Sequence, residues 1–294
     1  MASRTEFTFI ANESEVNMAT IRPSFTVDEI NRYFKKYRNI TFKAGTYNIT
    51  KMMTVPSHTK VTCEPGVVFK RSCRYQMLEM EASENVTGYN GTCDVTWTGG
   101  IFKADTIAED AIVIVLYHCK DIILQGIVVD GCRGYHSVEC NSSCDVTIRD
   151  CVFKNQSYIP GASYREAVQI DFAYQLGYPY RGSVGAAAND GTHCKNITID
   201  NCVFDSVPNG IGTHTVYEKE KYHEGIVITH CQFRNIGFNG IQLLSMKDVS
   251  IQGNESTLIG VQKRNKGYNL KGEKVRLTKT RHNVDVRIEN VLVE

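Results

Sequence analysis

Three carboxyl side chains and one histidine recur at related places in the middle of the chain: Glu139, Glu166, Asp171 and His214. Hydrolysing a glycosidic bond takes two carboxyl groups beside the scissile oxygen, one protonated and one ionised. Crowding like charges raises the proton affinity of one of them, which is how such a pair divides into acid and base. Arg165, close by in the segment YREAVQID, carries a planar fork of donors that suits the carboxylate of an acidic sugar. None of these residues can act unless distant parts of the chain bring them side by side.

A repeat supplies the means. The stretch CKNITIDNCVF beginning at Cys194 has near copies in CDVTWTGGIF from Cys93, CKDIILQGIVV from Cys119, CDVTIRDCVF from Cys144 and EGIVITHCQF from Glu224. A unit of roughly 25 residues built on short alternating runs cannot bury its apolar face alone and must be covered by its neighbours. The runs are rich in Val, Ile, Thr and Phe, which favours strands over helices. The expected architecture is all-β, a right-handed parallel β-helix in which each repeat forms one coil. Eleven cysteines fit this reading better than they fit a disulfide framework or a zinc site, since the number is odd and no CxxC pair occurs. Cys93, Cys119, Cys144 and Cys194 each open a repeat, while Cys151, Cys202 and Cys231 stand two residues before a Phe. Stacked on their equivalents, they would act as small apolar groups.

The second half of each coil can be aligned by its apolar alternation. Val138 and Cys140, Val168 and Ile170, Ile211 and Thr213, and Ile241 and Leu243 take the inward places. The outer face then carries three columns: Glu139, Gln169, Gly212, Gln242; Asn141, Asp171, His214, Leu244; and His136, Glu166, Asn209. Parallel strands lie about 4.8 Å apart, so the four candidate catalytic groups converge on one outward-facing patch spanning three coils. Just after Asp171 comes an insertion, FAYQLGYPYRGSVGAAANDGTH, at about 172–193. It could wall a groove over the patch, with Tyr174, Tyr178 and Tyr180 offering flat rings to sugars and Arg181 a second cation. Arg165, Gln169, His136, Asn141, Tyr174, Tyr178, Arg181 and Gln242 are the expected substrate contacts.

An extension of residues 1–24 precedes a single domain of 25–294. Phe25, Ile30, Tyr33, Phe34 and Tyr37 have helical spacing, with Thr26 and Glu29 placed as a capping box, so a short amphipathic helix should close the open end of the core. A capping helix, then ITFKAGTYNI, then strand repeats of the form NITIDNCVF resembles the pectate-lyase-like superfamily of right-handed β-helices. That group includes polygalacturonase-type glycoside hydrolases, polysaccharide lyases and phage tailspike depolymerases, and the similarity spans most of Ile40 to Ile251. It implies action on a polysaccharide. Polygalacturonase-type enzymes place carboxylates on two consecutive coils and a histidine on the next; Glu139-Cys-Asn141, Gln169-Ile-Asp171 and Gly210-Ile-Gly-Thr-His214 follow that order loosely. The resemblance implies Asp171 as general acid, Glu139 or Glu166 as base and His214 as positioner. The paired Asp-Asp, the Gly-His-Gly and the Arg-Ile-Lys of that family are missing, so carbohydrate processing in general is implied more than pectin in particular.

Two other functions fit the same residues. A lyase would use His214 or a tyrosine as base and Arg165 or Arg181 to neutralise a uronate carboxyl, and many β-helix lyases use calcium, for which Glu139, Glu166 and Asp171 are suitable oxygen ligands. Hydrolysis requires no metal or cofactor. The other is a non-catalytic phage tail or receptor-binding module, expected as a homotrimer where the enzyme is expected as a monomer. Charge points to neither nucleic acid nor membrane as partner, because 33 basic residues face 32 acidic ones for a net of +1. A basic hairpin or loop at about 262–283 carries eight Lys and Arg against one Glu. No signal peptide is evident, and a secreted or virion-associated location is expected over a cytoplasmic one.

Overall fold

The computed structural model describes residues 17–257 apart from 75, 82–85, 111, 158–164, 174–189, 214–220 and 238, together with 284–289 and 292–293. Within these the strands form three all-parallel sheets of ten, seven and nine strands, each strand pairing with its equivalent one turn away. The chain is a right-handed parallel β-helix with one helix among the described residues.

The alternating runs set the register. In the first sheet Val95 pairs with Ile122, Ile122 with Val146, Val146 with Ile197, Ile197 with Ile226 and Ile226 with Val249. These residues are buried while the positions between them are partly exposed, as a half-buried strand requires. In the third sheet Phe69, Phe102, Val129, Phe153, Phe204 and Phe233 form one inward column. Phe153 and Phe204 stack with ring centroids 5.2 Å apart, and Phe204 and Phe233 at 5.0 Å. Burying one such ring contributes about 1.5–3 kcal/mol, so the column is a main source of stability.

The corner between these sheets explains why small polar residues recur after each first strand. Gly99, Gly126, Asp150, Asn201, His230 and Gly253 all have left-handed backbones, with φ between 50° and 80°. Glycine adopts that conformation without steric cost, and Asn and Asp tolerate it better than most residues. Asn201 Nδ2 also donates to Asp150 Oδ1 at 2.8 Å, tying one corner to the next.

All eleven cysteines are free thiols, ten of them buried. Cys151, Cys202 and Cys231 do stack in one column beside the phenylalanines, and Asn254 ends it by accepting from Cys231 N at 2.8 Å. The repeat-opening cysteines do not form a single column. Cys93 and Cys144 pair with Lys120, whereas Cys119 and Cys194 stand one place earlier, with Ser143 at the equivalent position between them. Apolar alternation decides register in a sheet buried on one side, and a shift of one residue would turn every side chain over, so the cysteines yield to the Ile and Val positions.

The helix spans Val27–Lys36. Thr26 Oγ1 accepts from Glu29 N at 3.3 Å and Glu29 Oε2 accepts from Thr26 N at 2.8 Å, the reciprocal capping the sequence predicts. Val27, Ile30 and Phe34 are buried, with the Phe34 ring 6.2 Å from Phe42 and 6.3 Å from Trp97. Asn31 fixes the helix to the end strand of the second sheet, Met53–Val55, by donating to Met52 O and accepting from Thr54 N, both at 3.0 Å.

The second sheet differs from the other two. Its strands Ile114–Tyr117, Val138–Asn141, Glu166–Asp171 and Asn209–Gly212 are buried at every position. Ile114 and Leu116 enter the main core, while Val115 and Tyr117, pointing the other way, join a separate apolar cluster with Val86, Ile112 and Ala173 and the edge of Tyr135. This sheet therefore has a second apolar layer on its outer side.

Candidate active site

In the second sheet the register joins the residues of the expected columns. Glu139 pairs with Gln169, Gln169 with Gly212 and Gly212 with Gln242; Asn141 pairs with Asp171; Glu166 pairs with Asn209. Glu139, Glu166 and Asp171 therefore lie on two adjacent strands, with His136 one turn above Glu166. The expectation of a solvent-facing patch is corrected. Glu139 is 3 % exposed and Glu166 and Asp171 are 0 % exposed, and His136, Asn141 and Gln169 are also buried. One coil earlier in the same columns stand Val115 and Tyr117, which carry a second apolar layer on this side of the sheet.

Buried carboxyl groups are costly unless hydrogen-bonded, and each of these has contacts. Tyr117 Oη donates to Glu139 Oε2. Asp171 Oδ1 accepts from Phe172 N at 2.9 Å, and Oδ2 accepts from Gln169 Nε2 at 3.3 Å. His136 Nδ1 lies 2.8 Å from the Glu166 carbonyl oxygen and 3.6 Å from Glu166 Oε2. A carbonyl oxygen can only accept, so Nδ1 of His136 carries a proton. Gly212 leaves room beside the cluster, since a Cβ there would sit 2.5 Å from Gln242 O and 3.1 Å from Glu166 Cγ.

Of the expected substrate contacts, Gln242 is half-buried and engaged, accepting from Asn239 Nδ2 at 3.0 Å and donating to Thr213 O at 3.4 Å. Arg165 is placed against an aromatic ring, with Cζ 4.5 Å from the Tyr135 centroid. His214, Tyr174, Tyr178, Tyr180, Arg181 and the basic segment at about 262–283 lie outside the described residues. Among the described residues no group of three or more His, Cys, Asp or Glu side chains is arranged to hold a metal ion.

The sequence reading passed over Tyr117 and a ring cluster flanking Asp171. Phe172 lies 4.9 Å from His193 and 4.6 Å from His223, centroid to centroid. His223 is fully buried and its Nδ1 accepts from Cys194 N at 2.9 Å. A signal for the cover was present: the run IVLY at 114–117 is apolar at both phases of the alternation, the pattern of a strand covered on both faces.

No family profile matches the chain, and no curated protein does. Solved structures share its fold. The surface adhesin PfbA of Streptococcus pneumoniae is 18% identical with a TM-score of 0.66, over 78% of this chain and 57% of that one. The family 28 exopolygalacturonase of Yersinia enterocolitica is 11% identical with a TM-score of 0.60, over 95% and 61%. A mutant tailspike protein of E. coli bacteriophage HK620, in complex with a pentasaccharide, is 11% identical with a TM-score of 0.54, over 82% and 48%. This chain thus spans about half to three fifths of the structures it resembles. At these identities the likeness establishes the class, right-handed parallel β-helix proteins, and leaves the activity to be argued from the site.

Proposed function

We propose that this chain binds a polysaccharide and hydrolyses it at the cluster formed by Glu139, Glu166 and Asp171. The observation that carries the reading is the register, in which Glu139 pairs with Gln169, two residues before Asp171 on the adjacent strand, so that the backbone positions of these two carboxyl residues lie roughly 8 Å apart, with Glu166 and His136 further along the same strands. The fold's occurrence in an exopolygalacturonase and in a tailspike holding a pentasaccharide supports it. Asp171 and one of Glu139 and Glu166 would then divide the roles of acid and base between them. Because all three carboxyl groups are buried, turnover requires that the groups covering them give way as a sugar chain binds.

The test is a screen of soluble polymers for reducing-end release, with product absorbance followed in the ultraviolet. Hydrolysis releases ends without absorbance, whereas a lyase leaves an unsaturated, absorbing sugar. On the substrate so found, Asp171→Asn and Glu139→Gln should each lower turnover about hundredfold or more, the scale of a lost acid or base. Unchanged turnover by Asp171→Asn removes this residue from the chemistry.

The burial of the carboxyl groups favours a second reading, a non-catalytic polysaccharide-binding module of a secreted or virion protein. It predicts binding to a polymer with no release of ends.

A further inference from the structure

We propose that an open groove at the start of the first sheet, lined by Tyr89, Asn90, Lys120, Asp145, Lys195 and Asn196, is a binding site for an acidic saccharide. The groove encloses about 450 Å³ and shares no residue with the carboxyl cluster, so its function does not depend on that cluster being catalytic.

The groove is built before any ligand arrives. One wall is the segment 86–92, anchored by the buried Val86 and bonded to two separate parts of the chain, 190–193 and His118. Tyr89 Oη donates to His193 O at 2.8 Å, and Gly88 N donates to Asp190 Oδ2 at 2.6 Å. His118 Nδ1 donates to Gly88 O at 2.7 Å, and Gly91 N donates to His118 O at 2.9 Å. Gly91 allows this approach, since a Cβ at that position would sit 2.8 Å from His118 O. The Tyr89 ring is thereby fixed and half-exposed, the state in which an aromatic face offers a platform at low entropic cost.

The floor carries the charge. Lys120 pairs with Cys144 and Cys144 with Lys195, so the two lysines lie on one column two strand spacings apart, about 9.6 Å. Both are exposed. Of the carboxylates nearby, Asp145 already accepts from Asn196 Nδ2 at 2.8 Å, and Asp121 lies 3.9 Å from Lys120 Nζ. Two ammonium groups so spaced can take carboxylates on two units of a sugar polymer. Asn90, Asn196 and the remaining oxygen of Asp145 are suited to hydroxyl groups, and the Tyr89 ring to a sugar face. Lys195 pairs with Glu224 on the next strand, and a neutral polymer would offer neither ammonium group a charge partner of its own.

Electrophoresis of the whole chain in native gels cast with polygalacturonate, alginate, hyaluronate, dextran or dextran sulfate tests this. At least one of the three uronate polymers should retard the protein, dextran should not, and the effect should weaken as salt is raised. Replacing both lysines, Lys120→Gln with Lys195→Gln, should weaken retardation about tenfold or more, while the charge-matched control Lys60→Gln with Lys70→Gln, two exposed lysines outside the groove, should leave it unchanged. An equal loss in that control would assign the effect to net charge and overturn the groove. No retardation by any uronate polymer, or retention undiminished in the Lys120/Lys195 double variant, would overturn it too, as would retardation by dextran sulfate alone, which assigns the lysines to non-specific charge. Failure of the groove is read from retardation and failure of the hydrolase reading from turnover, so the two are told apart.

Discussion

Arg71 shows how much one side chain can hold in this fold. It is fully buried, and its guanidinium donates to five backbone carbonyls: Cys73 at 3.0 Å, Ala104 at 3.0 Å, Glu109 at 2.8 Å, and Arg74 and Asp110 both at 3.3 Å. Arg71→Met keeps the apolar stem and strips every donor, leaving buried carbonyls unsatisfied, and should destabilise the protein by about 3 kcal/mol or more. Arg71→Lys, with three donors on a point charge, should recover only part of that loss. Urea midpoints of the two variants check both statements. Asp130 adds a pH-dependent contribution. Burial raises its proton affinity, but the hydrogen bonds from Lys103 Nζ at 2.6 Å and Asn155 Nδ2 at 2.7 Å, with the charge of Lys154, more than reverse this and hold it below its ordinary 3.8. A lowered folded value means that the unfolded chain binds the proton more readily, so this stability is present above pH 3.8 and is lost as pH falls through the folded value. Urea midpoints taken on acidification should fall less steeply in Asp130→Asn than in the natural chain.

Among the elements, the aromatic column of the third sheet buries large rings at successive coils. Phe204 is fully enclosed between Phe153 and Phe233, with the latter ring tilted only 6° from it. Phe204→Ala opens a cavity between two stacked rings, and its cost should be about 3–5 kcal/mol by chemical denaturation. A cost below 1 kcal/mol would mean that the column collapses around the gap. This column was legible because Phe recurs at one place in each repeat. The repeat-opening cysteines were not, because a residue that packs at either of two adjacent corner positions carries no register information, whereas Ile122, Val146 and Ile197 must all point inward.

At the scale of the whole molecule, each coil pairs only with its neighbours, so stability is close to a sum of local interfaces. The hydrolase reading predicts a monomer in light scattering, and a threefold mass would favour the receptor-binding reading. The path of the chain, the inward ladders and the membership of the outer columns could all be read from residue order. Side chains alternate with a period of two and parallel neighbours stack in register, so a list of Ile, Val and Phe positions already names the residues that share a face. Whether that face meets water was decided by tertiary contact alone. Glu139, Glu166 and Asp171 are buried, and local alternation cannot distinguish an outward position from one under a further layer. For the same reason Arg71, polar by type and at an unremarkable place in its strand, became a buried clamp only when the carbonyls of residues 104, 109 and 110 were folded against it.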